Sequence, residues 1–155
     1  MHVINTLNNK KHEVVIAPAT TAAINDVARS KRFEFNWKKA TGELTYKLSL
    51  KQTGEILGLM SITDRPNELA IEIKMLESSK ENVGKYKTYE HVAGCMIAFA
   101  CRQAFLKGYD GYVCLVPKTV LKQHYHSIYQ METTGRYMFV DGKKSYDLIR
   151  KYIET

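Results

Sequence analysis

The stretch Tyr86–Gly108, YKTYEHVAGCMIAFACRQAFLKG, decides the fold, because a lysine-bearing loop runs straight into a helix that is apolar on nearly every side. Such a helix is expected to be buried, with its amino end held out of the core. The first N–H groups of a helix lack intrahelical partners and carry the positive end of its dipole. With Lys85 and Lys87 just upstream, they form a site suited to a pyrophosphate. Ala93 and Gly94 offer little or no side chain there, so a ligand or a neighbouring element can approach the backbone. The alternative is an ordinary core helix on a sheet, preceded by a solvated lysine loop.

Working outward, Gly108 suits the helix C-cap, and Tyr112–Val116 is a short apolar run between Gly111 and Pro117, as expected of a central strand. On the amino-terminal side, Glu77–Tyr89 is a Ser-, Lys-, Glu- and Gly-rich loop, longer than a tight connection needs. Before it, Leu44–Leu50 alternates apolar with polar residues, a turn at Thr53–Gly54 leads to Ile56–Thr63, and Asp64–Asn67 turns into Leu69–Leu76. These segments predict an antiparallel meander. Glu13–Ala17 reads as a first strand ending at Pro18, and Thr20 or Thr21 as the cap of a helix through Ala28. Thr119 is placed to cap a helix through Ile128, Tyr137–Val140 is a strand, Asp141–Gly142 a turn, and Tyr146–Ile153 a last helix. The pattern predicts one α/β domain, residues 1–155, with a mixed sheet flanked by helices.

At 155 residues the chain is long enough to bury a core without staples. Cys95, Cys101 and Cys114 are odd in number, sit in apolar surroundings and lack CxxC spacing, which points to reduced core residues rather than a zinc or dithiol site. No metal is expected. The longest apolar run is broken by Arg102 and Gln103, and no signal-like amino end is present, so the expectation is a cytoplasmic protein without a membrane span. The net charge of +7 and pI near 9.3 attract polyanions. The basic residues are nevertheless dispersed, without an arginine-rich tail or an RNA-type aromatic motif, which argues against a nucleic-acid reader.

Three segments carry a resemblance to the GNAT family of acyl-coenzyme A acyltransferases, across nearly the whole chain. Glu55–Ser61 (EILGLMS) resembles the family's third strand with its glycine, and Leu69–Leu76 its fourth. His91–Ile97 resembles the tail of the pyrophosphate signature Q/R-x-x-G-x-G/A and the apolar helix behind it. Gly108–Val116 is similar to the fifth strand, and His124–Met131 (HYHSIYQM) to the family's tyrosine-bearing helix end. Thr88 stands where Gln or Arg is usual, His91 in place of the first Gly, and Gln130 in place of a Gly after the tyrosine helix.

The resemblance implies a GNAT-like fold with a mostly antiparallel sheet, and direct transfer of an acyl group from acetyl-coenzyme A, as co-substrate, to an amine. It assigns the coenzyme to Lys85, Lys87, Thr88, Tyr89, His91, Val92, Ala93 and Gly94, with Lys118 adding charge. The oxyanion donor falls on the backbone near Met75 and Leu76, and Tyr125 is the acid for the leaving thiolate, with Tyr129 next in line. Glu72, opposite in parity to Ile71, Ile73 and Met75, is the candidate base if it points into the groove. It is equally a cross-strand partner for a lysine. Glu77 at the strand's end is a second candidate, acting through water. The acceptor, a small molecule or a protein amine, is expected to meet Arg29–Lys39 and the region of Tyr137 and Phe139. Phe33, Phe35 and Trp37 read either as its pocket or as a strand burying one face, and the positive surface disfavours a polycationic acceptor. A homodimer through the final strands would protect an edge. Two further readings stay open: a degenerate domain binding coenzyme A or a partner without catalysis, and a basic nucleic-acid-binding domain.

Overall fold

The computed structural model describes residues 1–154; Thr155, the last residue of the expected domain, lies outside the described residues. Two strands open the chain, β1 (His2–Asn5) and β2 (Lys11–Pro18), followed by helix α1 (Thr21–Ser30). Three long strands, β3 (Leu44–Leu50), β4 (Ile56–Arg65) and β5 (Ala70–Ser78), precede a two-residue strand β6 (Tyr89–Glu90) and helix α2 (Val92–Leu106). Then come β7 (Val113–Leu115), α3 (Lys122–Tyr129), the hairpin β8 (Glu132–Thr134) and β9 (Tyr137–Val140), and α4 (Gly142–Tyr152). The strands form one sheet in the order β6-β1-β2-β3-β4-β5-β7-β9-β8. Only β5 and β7 pair in parallel; the other neighbours are antiparallel. Among the described residues no helix is long and apolar enough to cross a membrane.

The meander forms as its alternation predicts, and α1 starts at the expected cap, where the Thr20 hydroxyl accepts from Ala23 N–H at 3.1 Å. The Gly108 signal is also met: Gly108 adopts φ 80° just past α2, and the next N–H, of Tyr109, returns to the Ala104 carbonyl at 2.9 Å. Helix α2 is apolar all round because it is covered twice, by the sheet on one side and by α4 on the other. Gly94 lets those two helices approach: a β-carbon there would lie 2.3 Å from Tyr152 Cε1. The three cysteines are buried, and burial raises the Cys95 and Cys101 thiols to about 12 and Cys114 to about 11, so none is poised as a nucleophile.

Four expectations are corrected. Strand β1 and the two edge strands β6 and β8 are additional, because strands this short show no alternation to read. Residues 31–36 form an irregular loop instead of a strand: Phe33 and Trp37 are buried beneath α1 with Val27 and Leu59, and Phe35 is half-buried against them. Gly142 belongs to α4 rather than to a turn before it, donating its N–H to the Asp110 carbonyl at 2.8 Å. Finally, Tyr89 is not loop but pairs with β1 opposite Asn5.

Candidate functional site

The decisive local event lies in the middle of β5. Ser61 of β4 faces Met75 and Ile62 faces Ile73, so Lys74 is an extra residue without a partner, a β-bulge. Because side chains alternate with period two, one extra residue exchanges the faces beyond it. Ile71 and Ile73 point into the main core with α2, whereas Met75 joins Trp37 and Phe33 under α1, and Leu76 packs back on the main core. The expected alignment of Met75 with Ile71 and Ile73 is thereby overturned.

On its other edge β5 pairs with β7 only from Ile71 to Ile73, opposite Val113 to Leu115. Beyond that the chain leaves the sheet through Val116 and Pro117, and a proline supplies no N–H to continue a ladder. The backbone groups of β5 that face this side after Ile73 therefore have no strand partner.

Two adjoining hollows fill the opening. The smaller, ≈ 170 Å³, lies between Lys74–Leu76 and Leu115–Lys118, with Phe35, Leu121 and Tyr125 over it. The larger, ≈ 560 Å³, continues along Leu76–Ser78 to Ala93 at the start of α2, and takes in Lys80, His124 and Tyr129. Tyr125, Phe35, Leu76, Lys118 and Leu121 border both.

Each wall is held by a nameable contact. The Glu77 carboxylate accepts from Glu34 N–H (2.6 Å), Phe35 N–H (3.2 Å) and Trp37 Nε1–H (2.8 Å), fixing the loop that carries Phe35 over the opening. Lys118 Nζ sits 5.3 Å from the Phe35 ring centroid, a cation–π contact. Helix α3 ends at Gln130 in the left-handed region (φ 57°), where Met131 N–H returns to the Tyr125 carbonyl at 3.2 Å. Tyr125 packs against the core, and burial alone raises its phenol above the ordinary tyrosine range, so it stays protonated at neutral pH. Tyr129 is pushed higher still, first by burial and then by Tyr152 and Tyr125. At α2 the first intrahelical bond runs from Cys95 N–H to His91 C=O, and no side chain caps the end. The N–H groups of Val92, Ala93 and Gly94 thus lack intrahelical acceptors.

The structure brings together Met75, Leu76, Ala93, Lys118 and Tyr125, five of the residues singled out from sequence. It does not bring Glu72 to them. Glu72 is only 5% exposed and spends its carboxylate on Arg65 Nη1 (2.9 Å) and Lys74 Nζ (3.4 Å), so it is a cross-strand ion-pair partner outside the hollows. The lysine loop is strapped to the sheet edge: Thr88 N–H reaches the Glu81 carbonyl, and the Lys87 and Thr88 carbonyls accept from Thr6. Lys85 stands in solvent over the Tyr86 ring, and neither Lys85, Lys87 nor Thr88 lines the opening. Tyr89 falls in a separate depression against the His12 ring. Val92 is core, Gly94 is small on account of Tyr152, and His91 holds the left-handed N-cap (φ 78°) with its ring edge-on to Tyr152. Sequence reading missed Lys80 and the anchoring role of Glu77. Lys80 lay within the long 77–89 loop and had a signal; the Glu77 contacts link residues about 40 positions apart and had none.

No protein-family model matches the sequence, and no curated protein matches it. Solved structures do. The spermidine/spermine N-acetyltransferase SpeG from Vibrio cholerae, in mutant forms, is 10% identical with a TM-score of 0.60, covering 86% of this chain and 96% of its own. Ard1 from Thermoplasma volcanium is 8% identical at 0.59, covering 83% and 97%. N-acetylglutamate synthase from Neisseria gonorrhoeae, complexed with coenzyme A and N-acetyl-glutamate, is 12% identical at 0.59; the likeness covers 86% of this chain and 36% of that one. The nine-stranded mixed sheet, parted between β5 and β7, thus shares its fold with these solved structures.

Proposed function

We propose that this protein moves an acyl group, acetyl in the simplest case, from an acyl-coenzyme A directly to an amine. The observation that carries the reading is the convergence, at the parting of β5 and β7, of unpaired β5 backbone at Met75 and Leu76, the uncapped start of α2 at Ala93, and the protonated phenol of Tyr125. The site fits a pyrophosphate-bearing thioester: free amides at a helix N-terminus accept an anion, and Lys80 and Lys118 line the same opening. Bound acetyl-coenzyme A supplies an activated acyl carbon and a thiolate leaving group. The chain's own residues do the rest. A β5 N–H near Met75 and Leu76 donates to the developing oxyanion, and Tyr125 gives its proton to the departing sulfur. As the N–C bond forms and the C–S bond breaks, the amine proton passes to solvent, from which Tyr125 is reprotonated.

Calorimetric titration with acetyl-coenzyme A, with desulfo-coenzyme A for comparison, tests this. Saturable binding in the wild type and its loss in Ala93→Glu, which sets a carboxylate at the helix start, are expected; no binding, or unchanged affinity in the variant, removes the assignment. A second reading, a domain that binds coenzyme A without catalysis, draws on one fact: Glu72 and Glu77, the two carboxylates offered as base, are both held in other contacts. Binding without acyl transfer to any amine in a broad acceptor screen would favour it.

A further inference from the structure

We infer that the acyl group is longer than acetyl, an apolar chain of roughly four carbons received in the smaller hollow; this rests on the acyl-transfer reading above. Leu76 and Tyr125 border both hollows. A thioester held at the β5 backbone of Met75 and Leu76, with its sulfur toward Tyr125, therefore keeps the coenzyme in the larger hollow and leaves the smaller one to the acyl chain. The walls of that smaller hollow are apolar. Buried Ile73 and Leu115 line it with Val116, Pro117 and Leu121, and Phe35 lies over it. Lys74 gives its ammonium to Glu72, Nζ to Oε2 3.4 Å, so what it brings to the hollow is backbone and methylene stem. The Lys118 ammonium lies 5.3 Å from the Phe35 ring centroid, and Lys118 borders the larger hollow too, where the coenzyme brings its negative charge. Among the described residues no carboxylate lines the smaller hollow.

Size and exposure carry the rest. The hollow measures ≈ 170 Å³, and an apolar cavity of about 150 Å³ holds a benzene molecule, so an acetyl group leaves most of the space unfilled. Val116 is 52% exposed and Leu121 37%. Chain carbons laid against them remove apolar surface from water on both partners, which the lone methyl of acetyl does to a far smaller extent. Two further methylenes, once buried, are worth roughly 10-fold in affinity.

The test is calorimetry without an amine, comparing acetyl-, butyryl- and succinyl-coenzyme A. Succinyl matches butyryl in length but ends in a carboxylate. Butyryl-coenzyme A should bind about 10-fold more tightly than acetyl-coenzyme A, and more tightly than succinyl-coenzyme A. Val116→Trp, at a half-exposed position that borders only the smaller hollow, fills the space. It should bring the butyryl advantage below about 2-fold while acetyl-coenzyme A affinity stays nearly unchanged. Butyryl binding no tighter than acetyl, succinyl binding tighter than butyryl, or an advantage untouched by Val116→Trp would overturn the inference. Acetyl-coenzyme A binding without a chain-length preference sinks this inference and spares the transfer reading; no binding of any of the three removes both.

Discussion

The two halves of β5 are built from similar residues and do opposite things. From Ile71 to Ile73 the strand is laddered on both edges, to β4 and to β7, and its one acid, Glu72, is closed into an ion pair. From Met75 to Ser78 it is laddered on one edge only, and its acid, Glu77, reaches out to hold another segment in place. Between them stands a single unpaired residue, Lys74. One inserted residue thus turns a structural strand into the wall of an opening: the bulge turns Met75 and Glu77 toward the α1 side while Leu76 keeps the core.

The sharpest way to break this comparison is to insert one alanine between Met75 and Leu76. Leu76 to Ser78 would slip by one position, turning Leu76 to the α1 side and withdrawing the Glu77 carboxylate from Trp37. A loss of roughly 4 kcal/mol or more in urea unfolding is expected, with loss of acetyl-coenzyme A binding. A variant as stable as the wild type would show that the register after the bulge does not set the faces. Next in size is Tyr125→Phe, which touches only the open half. It removes a proton donor and little contact area, so turnover should fall on the order of 100-fold with coenzyme affinity nearly unchanged. Unchanged turnover would take Tyr125 out of the mechanism.

Glu72→Ala strikes the closed half. It leaves Arg65 without its buried partner and should cost about 2 kcal/mol, seen as a lower urea midpoint at constant slope, with acetyl-coenzyme A affinity intact. Weakened coenzyme binding there would mean the two halves are not separate. The smallest effect is expected of Glu77→Gln, which keeps one acceptor oxygen of the two and should cost about 1 kcal/mol. Trp37 is the single tryptophan of the chain, so its fluorescence reports this change directly. An unaltered emission spectrum would show that the Glu77 contact does not order the Phe35 loop.

Much of this architecture is legible in the sequence, for physical reasons that also explain what is not. The strand Leu44–Leu50 alternates cleanly, and the helix from Val92 is apolar enough to require burial on two sides, so both can be placed before any coordinates. The bulge leaves no such trace. Ile71, Ile73 and Met75 alternate without a break along the chain, and only the pairing with Ser61 and Ile62 reveals that the third has changed sides. Glu72 and Glu77 were indistinguishable as candidate bases, because what separates them is their partners, Arg65 on one side and Trp37 on the other. Gly94 was readable as a place of close approach but not what approaches; the answer is the Tyr152 ring.

The most direct test of the central claim, that the open half of β5 is an acyl-coenzyme A site and the closed half is scaffold, is an amide-resolved NMR titration with acetyl-coenzyme A. The account predicts saturable shifts at Met75, Leu76, Ala93 and Lys118, with Ile71 and Glu72 unmoved. Shifts gathered instead on the lysine loop from Lys85 to Thr88, or none at Met75 and Leu76 at saturating ligand, would contradict it.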